Sequence, residues 1–124
     1  MHGWGKLYYE GGQLAYEGNW AHDEFHGYGK VYNDNPVVLE GGFDYTNFDL
    51  LDDYWEFYEG MLANDTKEGR GRIQLTNREV FEGDFHVDRI QGFGKFLRRD
   101  GNIVEGIWRD SRLIKILNTN DIHR

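Results

Sequence analysis

An all-β protein made of consecutive β-hairpins is the fold class predicted for this 124-residue chain. Three observations predict it. Two glycine-centred motifs alternate at fixed spacing, short Asn-, Asp- and Gly-rich segments separate them, and aromatic residues outweigh aliphatic ones. There are 8 Phe, 8 Tyr and 4 Trp beside 17 Gly, roughly twice average glycine usage, and one Pro. Mean hydropathy is -0.76. A thick two-layer core would need more Leu, Ile and Val, so the composition favours a thin, aromatic-rich body.

The first motif series is "YEGNW", "LEGGF", "YEGML", "FEGDF" and "VEGIW", with glycines at 18, 41, 60, 83 and 106 and steps of 23, 19, 23 and 23 residues. The second is "HGWGK", "HGYGK", "EGRGR" and "QGFGK", starting at glycines 3, 27, 69 and 92. Three of these follow an EG glycine by nine residues. Two interleaved series at constant offset mark an internal repeat.

In order along the chain, the repeat gives a half unit at 2–15 and units at about 16–38, 39–57, 58–80 and 81–103. A half unit at 104–113 and a tail or cap at 114–124 follow. The 39–57 unit is degenerate: it is four residues short and has "DYTNFDLLDDYWEF" where a G-x-G belongs. Lys115 stands where the last unit should place its first paired glycine. Within units, "AHDE", "ANDT" and "HVDR" share a slot with Asp23, Asp65 and Asp88 in register; between units lie "EGGQ", "NDNP", "LTN" and "RRDGN". These residues supply positive φ and Asx-type bonds, so both positions read as turns.

Strand alternation then assigns faces. Tyr16, Gly18 and Trp20 share one side, as do Phe81, Gly83 and Phe85; Glu17, Glu40, Glu59, Glu82 and Glu105 project from the other. Bare glycine backbone lets a neighbouring ring lie flat on it. The glycines are sockets for the aromatics, and a single sheet can make a core in this way.

The pattern Tyr/Phe-Glu-Gly-x-Trp/Phe, about nine residues, then His/Gln-Gly-x-Gly-Lys resembles the MORN repeat (membrane occupation and recognition nexus) over residues 2 to about 113. The resemblance implies an elongated, twisted, single-layer antiparallel sheet of hairpins with a groove on one face. It also implies a non-catalytic protein-binding or self-assembly scaffold in cytoskeletal or ciliary settings, without a cofactor. The alternatives it carries are a peripheral membrane adaptor for acidic phospholipids, or the MORN fragment of a larger lipid kinase or methyltransferase.

Partner recognition along the groove is expected from Tyr16, Trp20, Phe43, Tyr58, Phe81, Phe85 and Trp108, because rings on an uncovered sheet face are what interfaces favour. Phe48, Leu51, Tyr54 and Trp55 in the irregular unit are contact candidates, since there the sequence breaks its own rule. Lys67, Arg70, Arg72, Arg98 and Arg99 are the candidate lipid head-group ligands. The strands at 2–9 and 103–109 are expected to be open edges through which a second copy could pair into a homodimer.

Net charge is -8, and residues 1–63 hold two basic against twelve acidic residues. That balance argues against a nucleic-acid partner and disfavours membrane lipid. With no cysteine, disulfide and thiolate-zinc chemistry are excluded. The acids of "DLLDDYWEFYE" lack the glycine-centred plan of a calcium loop, and the five histidines show no metal-ligand spacing. No nucleophile elbow, P-loop or HExxH occurs, so no catalytic activity or metal is expected. A cytoplasmic location is expected, associated with cytoskeleton, cilium or the inner membrane surface.

Overall fold

The computed structural model describes residues 2–120, which form one open antiparallel sheet with nine strands in chain order. They are β1 (Gly3–Tyr8), β2 (Leu14–Ala21), β3 (Glu24–Tyr32), β4 (Trp55–Ala63), β5 (Thr66–Leu75), β6 (Val80–His86), β7 (Arg89–Leu97), β8 (Ile103–Arg109) and β9 (Arg112–Asn120). Chain neighbours are sheet neighbours throughout, so each hairpin contacts only the next.

Two turn chemistries alternate. His22–Asp23, Asn64–Asp65, Val87–Asp88 and Asp110–Ser111 form two-residue loops with both φ positive, from 46° to 68°. This is the type I′ geometry that matches the twist of antiparallel strands. At the other end, Tyr9, Leu75 and Arg98 donate their amides to the carbonyls of Gln13, Glu79 and Asn102, each at 2.8 Å, closing three-residue loops. Their third residues, Gly12, Arg78 and Gly101, are left-handed at φ 95°, 80° and 92°. Arg78 is the one L-residue there, so its backbone carries strain that the glycines avoid.

The glycines line up across the sheet. Gly5, Gly18, Gly29, Gly60, Gly71, Gly83, Gly94 and Gly106 are successive cross-strand partners. A ring lies over each hairpin's glycine pair: Tyr16 over Gly18 and Gly29, Tyr58 over Gly60 and Gly71, and Phe81 over Gly83 and Gly94. A Cβ on Gly94 would sit 2.5 Å from the Phe81 ring. The Tyr16 and Tyr58 hydroxyls donate to the carbonyls of Asn19 and Met61 at 2.6 and 2.7 Å. At the last hairpin Val104 replaces the ring, and Ile116, not a glycine, pairs with Gly106. The side chains over Gly106 are those of Leu113 and Trp108, with Leu113 Cδ1 2.7 Å from where a Cβ would stand.

On the opposite face, Lys6, Glu17, Lys30, Glu59, Arg72, Glu82, Lys95 and Glu105 form an adjoining row of alternating charge. Lys6 and Glu17 approach to 3.8 Å, and Arg72 and Glu59 to 3.3 Å. Such solvated cross-strand pairs contribute about 0.2–1 kcal/mol each.

Three expectations need correction. The 39–57 stretch is not a hairpin: β3 pairs directly with β4, and residues 33–54 leave the sheet as an insert with one 3₁₀ turn at Phe48–Leu50. "LEGGF" imitates the motif, but Gly41 has a loop φ of 84° and Glu40 does not belong to the charged row. The strand at 103–109 is not an edge either. Residues 112–120, which include 114–120 of the expected tail, pair with it as β9, and the rest of that tail lies outside the described residues. β1 and β9 are the edges, and both expose apolar side chains: Trp4, Leu7 and Tyr8 on one, Ile114, Ile116 and Leu117 on the other.

Candidate functional site

The face carrying the rings is the candidate site, and over the later strands it is already occupied. The insert folds back across it. Phe48 is buried against Phe81, Phe96 and Trp108, with ring centroids 5.1, 5.9 and 6.3 Å away. Tyr45 stacks on Phe96 at 5.2 Å, and Phe43 packs on Phe48 at 5.0 Å. Apolar area removed from water stabilises this seating by about 25 cal/mol per Å².

Hydrogen bonds fix the insert at both ends. Toward β5 and β6, Leu39 donates its amide to Thr76 Oγ1 at 2.9 Å, and Asn77 Nδ2 donates to the Gly41 carbonyl at 2.8 Å. Glu79 is 1% exposed, yet its carboxylate is fully engaged. It accepts from the Phe43 amide and Asn77 Nδ2 at 2.7 Å, and from the Arg99 amide at 3.2 Å. A buried carboxyl group is tolerated where its oxygens accept hydrogen bonds in this way. Toward β8 and β9, Trp108 Nε1 donates to the Tyr45 carbonyl and Leu113 N to the Thr46 carbonyl, both at 2.9 Å. Asn47 bridges to Arg112 in antiparallel fashion, and Asp49 meets Arg89 and Arg112 at 3.1 and 3.3 Å.

The I′ turns have a second task. Asp65 Oδ1 accepts the Phe25 amide at 2.7 Å, Asp88 Oδ1 the Lys67 amide at 2.8 Å, and Ser111 Oγ the Ile90 amide at 3.2 Å. Each turn thus latches onto the hairpin before it. The last hairpin has no successor among the described residues, and the Thr46 carbonyl takes the Leu113 amide in its place.

A family model of the MORN repeat matches residues 16–35, 58–79 and 81–103, just over half of the chain. The chain belongs to the MORN-repeat family. The unmatched gap between the first two MORN segments coincides with the insert. No curated protein matches the chain.

Against this MORN frame, most of the expected contact residues lie inside the protein. Tyr16, Tyr58, Phe81, Phe85 and Trp108 are buried at 0–3% exposure, and Phe43 at 7% lies on the insert, not on a strand. A single sheet would have left these rings open; the insert and the edge-to-face packing of neighbouring rings close them in. Of the irregular-segment candidates, Phe48 is buried, and Leu51 and Trp55 pack on the core. Tyr54 is half-buried and accepts the Thr76 amide at its carbonyl. These residues contact their own array. Trp20 alone among the groove aromatics keeps partial exposure.

The basic residues are engaged as well. Arg70, Arg72 and Arg98 lie 3.4, 3.3 and 4.0 Å from Asp84, Glu59 and Asp100. Lys67 points among rings, its Nζ 5.7 and 5.6 Å from the Trp55 and Tyr58 centroids, and burial lowers its pKa although Asp88 partly offsets this. Only the exposed Arg99 side chain keeps the disposition a head-group ligand needs.

Reading the sequence missed Glu79. The available signal was its neighbour: "TNRE" lacks the glycine of "EGGQ" and "RRDGN".

Proposed function

We propose that this MORN array is a non-catalytic scaffold that holds polypeptide on its ring face and at its open edge strands. One observation carries the reading: a segment of the insert, residues 43–49, a turn leading into the 3₁₀ turn, is already seated on the ring face through hydrogen bonds, ring stacking and ion pairs. Such a face holds main-chain carbonyls and flat side chains together. The apolar edges β1 and β9 add unpaired backbone, which favours strand addition by a second copy or a partner. We extend the proposal to a cytoplasmic, cytoskeletal or ciliary setting on the family resemblance alone.

A membrane-adaptor role has weaker support, because the basic residues it needs are mostly ion-paired or buried. A photo-crosslinking amino acid placed at Ile116 or Leu7, with Arg109 as the off-edge control, tests the scaffold. Dimer or partner adducts from the two edge positions, absent from the control, are expected. Equal and negligible adducts at all three would remove the reading.

A further inference from the structure

At one end of the sheet, three-residue loops close the junctions Tyr9–Gln13, Leu75–Glu79 and Arg98–Asn102. Between β3 and β4 the insert leaves the sheet instead, and a cavity of about 560 Å³ opens beside its departure. Leu14, Tyr32, Pro36, Val38 and Phe57 are its apolar lining. Tyr32 and Phe57 are cross-strand partners, with ring centroids 6.4 Å apart and planes tilted by 54°.

Hydrogen bonds hold these walls in place. The Asn33 amide donates to the Glu56 carbonyl and Asn33 Nδ2 to the Trp55 carbonyl, both at 2.9 Å. The Val37 amide donates to the Asp53 carbonyl, and Thr76 Oγ1 to the Val37 carbonyl, both at 2.8 Å. Asn33 and Thr76 therefore line the cavity but are spent on its frame. Two other lining groups are not: the Gln13 side-chain amide and the Glu56 carboxylate have no hydrogen-bond or ion-pair partner among the described residues. Val38 is 72% exposed, the most of any large apolar side chain described.

A preformed, mostly apolar cavity of this size with few free polar groups suits a small organic molecule. Charge decides its class. Glu56 is the one charged residue in the lining, and its oxygens offer a charge-assisted hydrogen bond to an incoming ammonium. The field behind the Tyr32 backbone has the same sign. Burial, with Asp34 adding to it, raises the pKa of Tyr9, whose hydroxyl donates to the Tyr32 carbonyl. Lys30 does not line the cavity; its ammonium rests over the Phe57 and Tyr32 rings, 4.1 and 5.1 Å from their centroids. Those rings already carry one cation, as electron-rich faces do. We infer that this cleft binds a small amphiphilic amine, its apolar body against Leu14, Tyr32, Val38 and Phe57 and its ammonium hydrogen-bonded to Glu56. The site does not depend on the polypeptide-holding role proposed above.

Two probes of matched shape and opposite charge test it, tryptamine and indole-3-propionate, titrated into the full chain and followed by NMR. Tryptamine should move the Leu14 and Val38 methyl and Gln13 side-chain amide resonances. It should bind at least about fivefold tighter than the acid, the scale of one favourable surface ion pair. Glu56→Gln keeps the side-chain shape, removes the charge and should abolish the preference. Glu24→Gln, the same charge change outside the cleft, should preserve it. No shifts at the lining residues, an equal or reversed preference, or a preference that survives Glu56→Gln would overturn the site. Tighter binding of a blocked Gly-Arg-Gly peptide than of tryptamine would overturn the small-molecule assignment in favour of a partner's side chain.

Discussion

The Glu79 carboxylate accepts the backbone amide of Phe43, 36 residues away, at 2.7 Å, inside the protein. That bond fixes one end of the insert to the β5–β6 turn. Glu79→Ala would leave the buried Phe43 amide and the part-buried Arg99 amide without this acceptor, a loss of about 1–3 kcal/mol. Urea unfolding should show the loss, and hydrogen exchange at Phe43 should rise before exchange in β6. Unaltered protection at Phe43 would mean that the insert is held by its rings alone.

Glycine row positions should tolerate no side chain. Gly94→Ala would place a methyl 2.5 Å from the Phe81 ring and should cost about 1–3 kcal/mol, the range for an overpacked core. Gly42→Ala on the insert, where a Cβ would stand 3.8 Å from Glu79 Oε2 in ordinary contact, should change the melting temperature little. Equal effects would refute the socket argument.

The turn latches predict a repeat-wide effect. Asp88→Ala removes the acceptor for the Lys67 amide and a side chain suited to φ 68°, and should destabilise by about 1–2 kcal/mol. Ser111→Asp restores the residue used at the other I′ turns and should be neutral or stabilising. Thermal melts of both variants, compared with Val87→Ala, separate latch from turn.

Alkali should loosen the array through its tyrosines. Burial, with Asp65 adding to it, raises the Tyr16 pKa to about 12, and burial moves Tyr58 in the same direction. The unfolded chain ionises near pH 10, so stability is unaffected below that and falls as pH rises from 10 to 12, by about 1.4 kcal/mol per unit for Tyr16. Lys67 has the opposite sign: its lowered pKa makes the folded state gain on approaching its ordinary value of 10.5. Tyr16→Phe, which places at 16 the residue found at 81, should reduce the alkaline slope in pH-dependent denaturant titrations. An identical slope would show that the phenol is not the titrating group.

The hairpin array was legible because ring, socket and turn recur with the stride of the chain, and each is a local demand. Tyr16 needs Gly29 within its own hairpin, and Asp65 needs positive φ within its own turn. The insert was not legible, since nothing local distinguishes "LEGGF" from a repeat strand. What decides is the long-range match of Gly29 with Gly60, which pairs β3 with β4 and expels residues 33–54. The shortened step of 19 residues was its trace in the sequence. β9 was hidden for the converse reason. Opposite Gly106 it carries Ile116 where the other hairpins carry the glycine that marks a second strand. The covered state of Phe81 and Trp108 follows from the insert and so escaped the same reading.

The insert also alters how the molecule must come apart. A ribbon of hairpins touching only their neighbours can peel from either end, one unit at a time. Residues 43–49, however, clasp the β5–β6 turn and the β8–β9 hairpin together, so the carboxy-terminal hairpins cannot be lost singly without undoing the clasp. The three strands before it have no such tie across the rings. This protein should therefore melt in two pieces: an early, independent fraying of β1–β3, then a concerted release of everything the clasp spans.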